Sequence, residues 1–164
     1  MPQQQEWIDS LAEDIKSKNH DAAENYGRDQ HYASVIAEKG KPFFVSLLQC
    51  LQQNVDALRT RLQGDSTASE TGLQTIRACE VKISRARFPW VDATVEHHGE
   101  TITLDYAKTP GIPDPQQERK TCTFAFHVTP EDVLYVTDAF GAEHAEYDEP
   151  EALARRICET LFTP

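Results

Sequence analysis

Two aspartates, Asp92 and Asp105, have the clearest potential for chemistry in this sequence. If His98-Gly99 is the two-residue turn of a hairpin, residues whose numbers sum to about 197 face each other across two strands. The two carboxylates then lie directly opposite, and the apolar residues Val95 and Ile102 match on the other face, which supports the register. Opposed carboxylates repel each other unless one is protonated or a cation lies between them.

Such a pair could act as a general acid and base, or as half of a divalent-cation site. Candidate neighbours of the pair on the predicted sheet are Glu96, His97 and His127. Two aromatic residues at predicted turns, Trp90 and Phe140, are candidates for contact with a ligand or partner. The alternative is a solvated sheet face, whose carboxylates are neutralised by a nearby cation, namely Lys82, Arg85 or Arg87.

The sequence contains no other motif that would define an activity. Its histidines show neither a His-x-x-x-His spacing nor a His-Glu-x-x-His motif, and its cysteines contain no Cys-x-x-Cys. Neither a Gly-x-Ser-x-Gly motif nor a glycine-rich phosphate loop occurs. We therefore expect no metal site built on histidine or cysteine, and no cofactor.

The composition bounds the class of protein. A chain of 164 residues that is 39% hydrophobic and 26% charged predicts one globular domain with its own core. The net charge of −11 disfavours contact with nucleic-acid phosphates and anionic membranes. The N-terminus resembles no secretory signal, and the cysteines are widely spaced within apolar stretches. We therefore expect a cytoplasmic protein with four reduced, buried thiols: Cys50, Cys79, Cys122 and Cys158.

Residues 1–63 are predicted to form a helical layer, because their apolar residues recur every three or four positions. The first apolar residues at this spacing are Trp7, Ile8, Leu11 and Ile15. Gly27 and the Gly40-Lys41-Pro42 sequence predict helix breaks, since glycine commonly ends helices and proline commonly begins them. The layer is therefore expected to be a helical hairpin, with its second helix beginning at Pro42.

Beyond Gly72 the apolar period changes from about 3.6 to 2, which indicates strands. The β-rich runs between residues 73 and 138 follow one another without intervening helices, so we expect an antiparallel meander of about five strands. An acidic start and Pro150 predict a closing helix over residues 149–162. The fold class is therefore α+β, a single domain over 1–164 with the helical hairpin and the C-terminal helix packed on one face of the sheet.

The second predicted helix carries an apolar stripe wider than one neighbour needs. Its members are Phe43, Phe44, Leu47, Leu48 and Leu51. Because large apolar patches usually mark interfaces, we expect a homodimer through the helical layer. The alternative is a monomer in which the segment around Asn25 to Ile36 folds back over the uncovered part of the stripe. Two other segments could contact a protein partner. One is the proline-rich loop over 108–119, for which the alternative explanation is a surface insertion that the fold tolerates. The other is the segment 129–151, which has eight acidic residues and no lysine or arginine and could dock a basic partner. The alternative is that these acidic residues form a solvated face.

In its small size, acidity and helix-plus-sheet plan, the chain resembles the secretion chaperones, which bind partner chains as dimers. Its element order departs from theirs, because two helices come first and the strands then run without an interrupting helix, so no residue is carried over. The leading hypothesis is a non-enzymatic binding or protein-interaction module, with a chaperone-like role as one option. The alternative is a small enzyme or divalent-cation-binding protein that uses Asp92 and Asp105, and the fold class alone does not decide between the two.

Overall fold

The computed structural model describes residues 2–62, 71–86, 89–109, 117–138 and 145–163. Helix α1 covers Pro2–Arg61 and helix α2 covers Pro150–Phe162. Between them lie strands β1 (Thr71–Arg77), β2 (Glu80–Arg85), β3 (Val91–His98), β4 (Thr101–Lys108), β5 (Glu118–Val128), β6 (Leu134–Asp138) and β7 (Glu146–Tyr147). Phe140, Arg87 and residues 110–116 of the proline-rich loop lie outside the described residues, as does the part of the acidic segment over 139–144.

The described strands form one antiparallel sheet in chain order from β1 to β7. The predicted α+β class and antiparallel sheet are confirmed, but the sheet has seven described strands and not about five. The two additional strands are the outermost ones. Strand β1 has two large apolar residues, Leu73 and Ile76, which point to opposite faces, and β7 has two residues in all, so neither strand produces a period that the sequence could reveal.

The predicted helical hairpin is wrong, because α1 continues through Gly40 and Pro42. Gly40 is buried, and a Cβ atom there would lie 3.5 Å from Cε2 of Phe126 and 3.8 Å from the carbonyl oxygen of Gly99. This glycine therefore allows the helix to approach the sheet closely and does not end the helix. Pro42 is exposed and removes the hydrogen bond that its nitrogen would have donated to the carbonyl of Glu38, a loss that the packing of α1 tolerates.

The chain divides into two compact units, Met1–Ser34 and Val35–Pro164. The first unit is helical, and every side chain from residue 5 to residue 31 is exposed. The second unit contains the remainder of α1, the sheet and α2. No described helix has an apolar stretch long enough to cross a membrane.

The core of the second unit lies between the two helices and one face of the sheet, which we call the covered face. Alternate strand residues point to this face because successive side chains of a strand point to opposite sides. The fully buried side chains of the helices are Phe44, Leu47, Leu51, Val55, Leu153, Ile157 and Leu161, and those of the strands include Val81, Ile83, Val95, Ile102 and Leu104. Each such side chain contributes about 1.5–3 kcal/mol by its burial, before the entropy cost of folding.

The broad apolar stripe on α1 is packed within this core. Phe43 packs edge-on against Phe126 with ring centroids 5.6 Å apart, and Phe44 stacks on His97 at 5.2 Å. Four of the five stripe residues are buried, and Leu48 is partly buried. The width of the stripe therefore reflects contact with the sheet inside one chain, and it no longer argues for a dimer interface at this position.

Two polar contacts hold elements at the periphery of the core. The Lys108 ammonium group donates hydrogen bonds to the carbonyl oxygens of Thr160 (2.9 Å) and Thr163 (3.2 Å), so it satisfies carbonyls that the end of α2 leaves open. The buried Arg85 guanidinium group donates to Oγ1 of Thr71 at 2.7 Å, which joins β2 to the outermost strand. Lys108 thus belongs to β4, and Glu118 and Arg119 belong to β5, so the prediction of a loop over 108–119 is wrong at both ends.

Substitution of Gly40 tests the close packing of α1 on the sheet. We expect Gly40→Ala to keep or raise the free energy of unfolding by up to about 1 kcal/mol, because alanine favours helix and its Cβ meets Phe126 at an ordinary contact distance. Gly40→Leu should lower it by about 1–3 kcal/mol through overpacking. Chemical denaturation measures both variants, and equal stabilities for alanine and leucine would contradict the packing.

Candidate functional site

The two aspartates lie on the face of the sheet opposite to the helices, which we call the open face. Asp92 and Thr94 belong to β3, Asp105 to β4, and Arg119 and Thr121 to β5. Together with Tyr106 and Lys120 these residues line one cavity of about 390 Å³. Strand alternation explains the arrangement, because the odd-numbered residues Val91, Ala93 and Val95 occupy the covered face.

The predicted direct opposition of the two aspartates is wrong. Strand β3 pairs Thr94 with Asp105, and Asp92 lies opposite Ala107. The turn residues are Gly99 and Glu100, and Gly99 has a φ of +59°, so glycine takes the first central position, as in a type II′ turn. The turn expected from the sequence, His98-Gly99, places glycine at the second central position instead.

This shift by two residues keeps every side chain on its predicted face, because the side-chain period of a strand is two. Asp92 and Asp105 are therefore diagonal neighbours on the open face. The two aspartates share one cavity because a shift by an even number of residues leaves both side chains on the same face. The exact pairing of the strands does not matter for this.

Each aspartate has a polar partner. Nζ of Lys82 lies 3.4 Å from Oδ1 of Asp92, and the hydroxyl group of Thr121 donates a hydrogen bond of 2.5 Å to Oδ1 of Asp105. Arg119 adds a guanidinium group to the same cavity. The predicted alternative, neutralisation of Asp92 by Lys82, is thus present in the structure. A solvent-exposed ion pair of this kind contributes between about 0 and 1 kcal/mol to stability.

Trp90 lies immediately before β3 and lines a neighbouring concavity of about 330 Å³ together with Lys82, Ser84 and Asp92. The backbone N–H group of Thr109 donates to the Trp90 carbonyl at 3.1 Å, which fixes the chain at the entrance to β3. Asp92 therefore borders two adjoining polar depressions. Carboxylates, hydroxyl groups and basic side chains in this arrangement can hydrogen-bond a small polar ligand.

Glu96 and His97 do not join this group. Glu96 is on the open face, four residues beyond Asp92 along β3. Its carboxylate lies 3.2 Å from the Arg77 guanidinium group and 3.4 Å from Nε2 of His98. His97 is on the covered face, where its ring packs between Phe44 and Phe126 and its Nε2 lies 2.9 Å from the Gly99 carbonyl oxygen. The alternation that carries Val91, Ala93 and Val95 inward extends to His97, and it was the signal in the sequence for this placement.

His127 is also separate from the aspartates. It lies on the open face, but six residues along β5 from Thr121, which corresponds to about 20 Å. Its Nε2 is 2.8 Å from the hydroxyl oxygen of Thr137, and its ring stacks on Tyr135 at 5.3 Å. The structure thus places Asp92 and Asp105 in one cavity, and Trp90 beside Asp92 in the neighbouring concavity. The cavity of the aspartates adds five residues that the sequence did not single out for the site: Thr94, Tyr106, Arg119, Lys120 and Thr121.

The described residues contain no group of three or more histidine, cysteine, aspartate or glutamate side chains placed to hold a metal ion. The aspartates alone would offer two carboxylates, and Lys82 and Arg119 reduce the negative potential around them. Divalent cations such as Ca²⁺ take six to eight oxygen ligands as a rule, so water would have to supply most of them here.

A second candidate surface lies in the first unit. Large apolar side chains there follow the spacing of one helical face, and we call them the N-terminal stripe: Trp7, Ile8, Leu11 and Ile15. Their exposed fractions are 56%, 48%, 49% and 52%, and Tyr26, further along the helix, is 66% exposed. The other large apolar residues exposed in the described part of the chain are single ones: Val45, Ile76 and Val133. The sequence identified the stripe as a helix face but not as an exposed one.

A third feature is a groove of about 610 Å³ between α1 and α2 in the second unit. Its lining includes Leu58, Phe162, Arg61 and Cys158. Burial raises the pKa of the Cys158 thiol, and a hydrogen bond with Asn54 acts in the opposite direction. All four cysteines are free, and each is partly buried, so the expected burial of the thiols is incomplete.

Comparison of the chain with protein-family models, curated proteins and solved structures finds no match. The function is therefore inferred from the residues of this chain, namely the polar cavity on the open face, the N-terminal stripe and the groove between the helices.

The thiols are expected to differ in reactivity. Cys158 should be alkylated slowly at pH 7.5, because the thiolate is the reactive form and burial both raises the pKa of this thiol and restricts access. Cys79 lies in the short turn between β1 and β2 and should be alkylated first. Timed alkylation of the folded protein with mass spectrometry of its peptides measures the order. Alkylation of Cys158 before Cys79 would contradict the burial assigned to the groove.

Proposed function

We propose that the protein is a non-enzymatic protein-interaction module and that the N-terminal stripe is its contact surface. The observation that carries the proposal is the exposure of four large apolar side chains on one face of a helix. Scattered exposed apolar residues are normal on a protein surface, whereas contiguous ones usually mark an interface. Association of one amphipathic helix with an apolar surface is a common mode of protein recognition.

The energetics of the first unit favour a bound partner. A helix whose side chains are all exposed gains no packing energy, so its stability depends on its intrinsic propensity. Here Asn19, Asn25 and Gly27 lower that propensity further. Burial of the N-terminal stripe on a partner would stabilise the helix, since each large apolar side chain contributes about 1.5–3 kcal/mol when fully buried.

The charge of the chain limits the chemistry of the partner. Its net charge of −11 opposes association with nucleic acid and with anionic membranes, so the partner is a protein. Binding of a partner chain is also the activity of the secretion chaperones that the composition resembles. The polar cavity on the open face offers no comparable apolar surface. Each of its two carboxylates also has a polar partner within the chain already.

A photo-crosslinking amino acid at Ala12 tests the module in the cells that express it. Ala12 borders the N-terminal stripe, so the four apolar side chains remain intact, and we expect a covalent adduct with a protein. The matched control carries the same group at Glu13, which points about 200° away from Leu11 on the helix and should give no adduct. Equal adduct yields at the two positions, or none at either, would contradict the proposal.

A second candidate function is cation binding or a small enzymatic activity at the carboxylate pair. It is favoured by one observation, the position of Asp92 and Asp105 in the same cavity. If the site binds Ca²⁺ or Mg²⁺, millimolar concentrations of the ion should raise the melting temperature through preferential binding to the folded state.

Two variants make this second candidate specific. Asp105→Asn should abolish the cation-dependent rise in melting temperature, whereas Asp56→Asn, an exposed site on α1, should leave the rise intact. Thermal unfolding monitored by circular dichroism measures both variants. Absence of a rise for the unaltered protein with either ion would eliminate the cation-binding candidate.

A further inference from the structure

We infer that the partner of the N-terminal stripe is a second copy of this chain, bound antiparallel through the first unit; the inference rests on the proposed function. The helix face that the pair would cover extends from Trp7 to Tyr26 and includes the N-terminal stripe. At 1.5 Å per residue this is a contact about 30 Å long. Both residues are among the most exposed large apolar side chains of the described chain.

One antiparallel register uses the whole of this face. If the two-fold axis passes between Lys16 and Ser17, residues whose numbers sum to about 33 lie level with each other in the two helices. Trp7 of one copy then faces Tyr26 of the other, and Leu11 faces the small side chain of Ala22. At these two levels a large residue meets an aromatic or a small one, as ridges-into-grooves packing of helices requires.

The charged residues at the centre of this register are also compatible with an antiparallel pair. Ile15 lies level with Lys18 of the second copy, whose aliphatic stem can cover it while the ammonium group reaches solvent. Asp14 is displaced by one residue from that level and lies on the same flank of the helix as Lys18. The two-fold axis therefore creates two equivalent pairs between Asp14 of one copy and Lys18 of the other.

A parallel, in-register pair has the opposite electrostatic character. Each residue is then level with its own copy, so Asp14, on the flank of the stripe, approaches the second Asp14. Glu6, Asp9 and Glu13 lie on the opposite side of the helix, but they gather at the same end of the pair, and no lysine or arginine precedes Lys16. The antiparallel arrangement separates the two acidic ends by about the length of the contact and also opposes the two helix dipoles.

Closure also favours a second copy. A two-fold pair covers the stripe of both chains at once and leaves none of it for further growth, which is why two-fold dimers are the commonest assemblies of soluble chains. The alternative dimer surface suggested by the sequence, the stripe from Phe43 to Leu51, is already buried on the sheet. The first unit is therefore the part of the described chain with an apolar face available for self-association.

The association state of the purified full-length protein tests the inference. In a Trp90→Phe background Trp7 is the remaining tryptophan, so its emission reports whether the stripe is covered. On concentration from about 1 to 200 µM the mass by sedimentation should rise from one chain to two, and Trp7 emission should shift to shorter wavelength in parallel. Leu11→Gln should raise the dissociation constant at least about tenfold, because each dimer loses two buried leucines. Glu13→Gln on the opposite face should leave it unchanged.

A charge-reversal cycle tests the orientation. Asp14→Lys and Lys18→Asp should each weaken the dimer by about threefold to tenfold, because each places like charges at both equivalent pairs. Asp14 and Lys18 also lie four residues apart in one helix, so the informative sample is an equimolar mixture of the two single variants, in which each chain keeps its altered intrahelical pair. The mixed dimer should bind more tightly than either single variant binds itself, because opposite charges then meet at both equivalent pairs. A mixed dimer no tighter than the single variants overturns the antiparallel register.

The inference and the proposed function fail differently. A chain that stays monomeric to 200 µM with unchanged Trp7 emission overturns the second copy as partner. If the crosslinker at Ala12 then traps a different protein, and the one at Glu13 does not, the interaction module is retained with a different partner. If neither result is obtained, both statements are overturned.

Discussion

The close contact between α1 and the covered face of the sheet is the interaction on which the second unit depends. Gly40 brings the helix near Phe126 and the Gly99 carbonyl, and Phe44 then stacks on His97. The residues that follow at helical spacing, Leu47, Leu51 and Val55, are completely buried. A bulky residue at position 40 would hold the helix away from the β3–β4 turn and open the core at its edge.

This one-sided packing also determines the character of the open face. Since the covered face takes the apolar half of each strand, the other half is free to carry charge and hydroxyl groups, and the two aspartates, Thr94 and Thr121 lie there. Their ionic and hydrogen-bonding partners come from the neighbouring strands β2 and β5. The same division explains why His97, one residue beyond Glu96, lies on the covered face and packs against Phe44 and Phe126.

The hydrophobic periods predicted the fold class, because periods of 3.6 and 2 report directly which face of an element is buried. They could not predict that α1 continues through Gly40 and Pro42. Glycine ends helices often, and the close approach that explains Gly40 requires knowledge of Phe126 and Gly99, which are distant in sequence. The exact β3–β4 register depended on which turn position Gly99 occupies, a choice that local sequence leaves open.

Periodicity likewise identified the N-terminal stripe but could not distinguish a buried face from an exposed one. The same spacing describes Trp7 to Ile15 and Phe44 to Val55, although the former residues are about half exposed and the latter are buried. Burial depends on the presence of a covering surface. The sheet supplies that surface to the second part of α1, and we assign it to another protein chain for the first.

Amide hydrogen exchange along α1, measured at two protein concentrations, tests this account most directly. Amides of residues 44–58 should be strongly protected at both concentrations, because they belong to the core of the second unit. Amides of residues 8–26 should exchange rapidly near 1 µM and become protected near 200 µM, as the stripe is covered. Strong protection of residues 8–26 that does not depend on concentration, in a protein that remains monomeric, would contradict the assignment of this helix as an interaction surface.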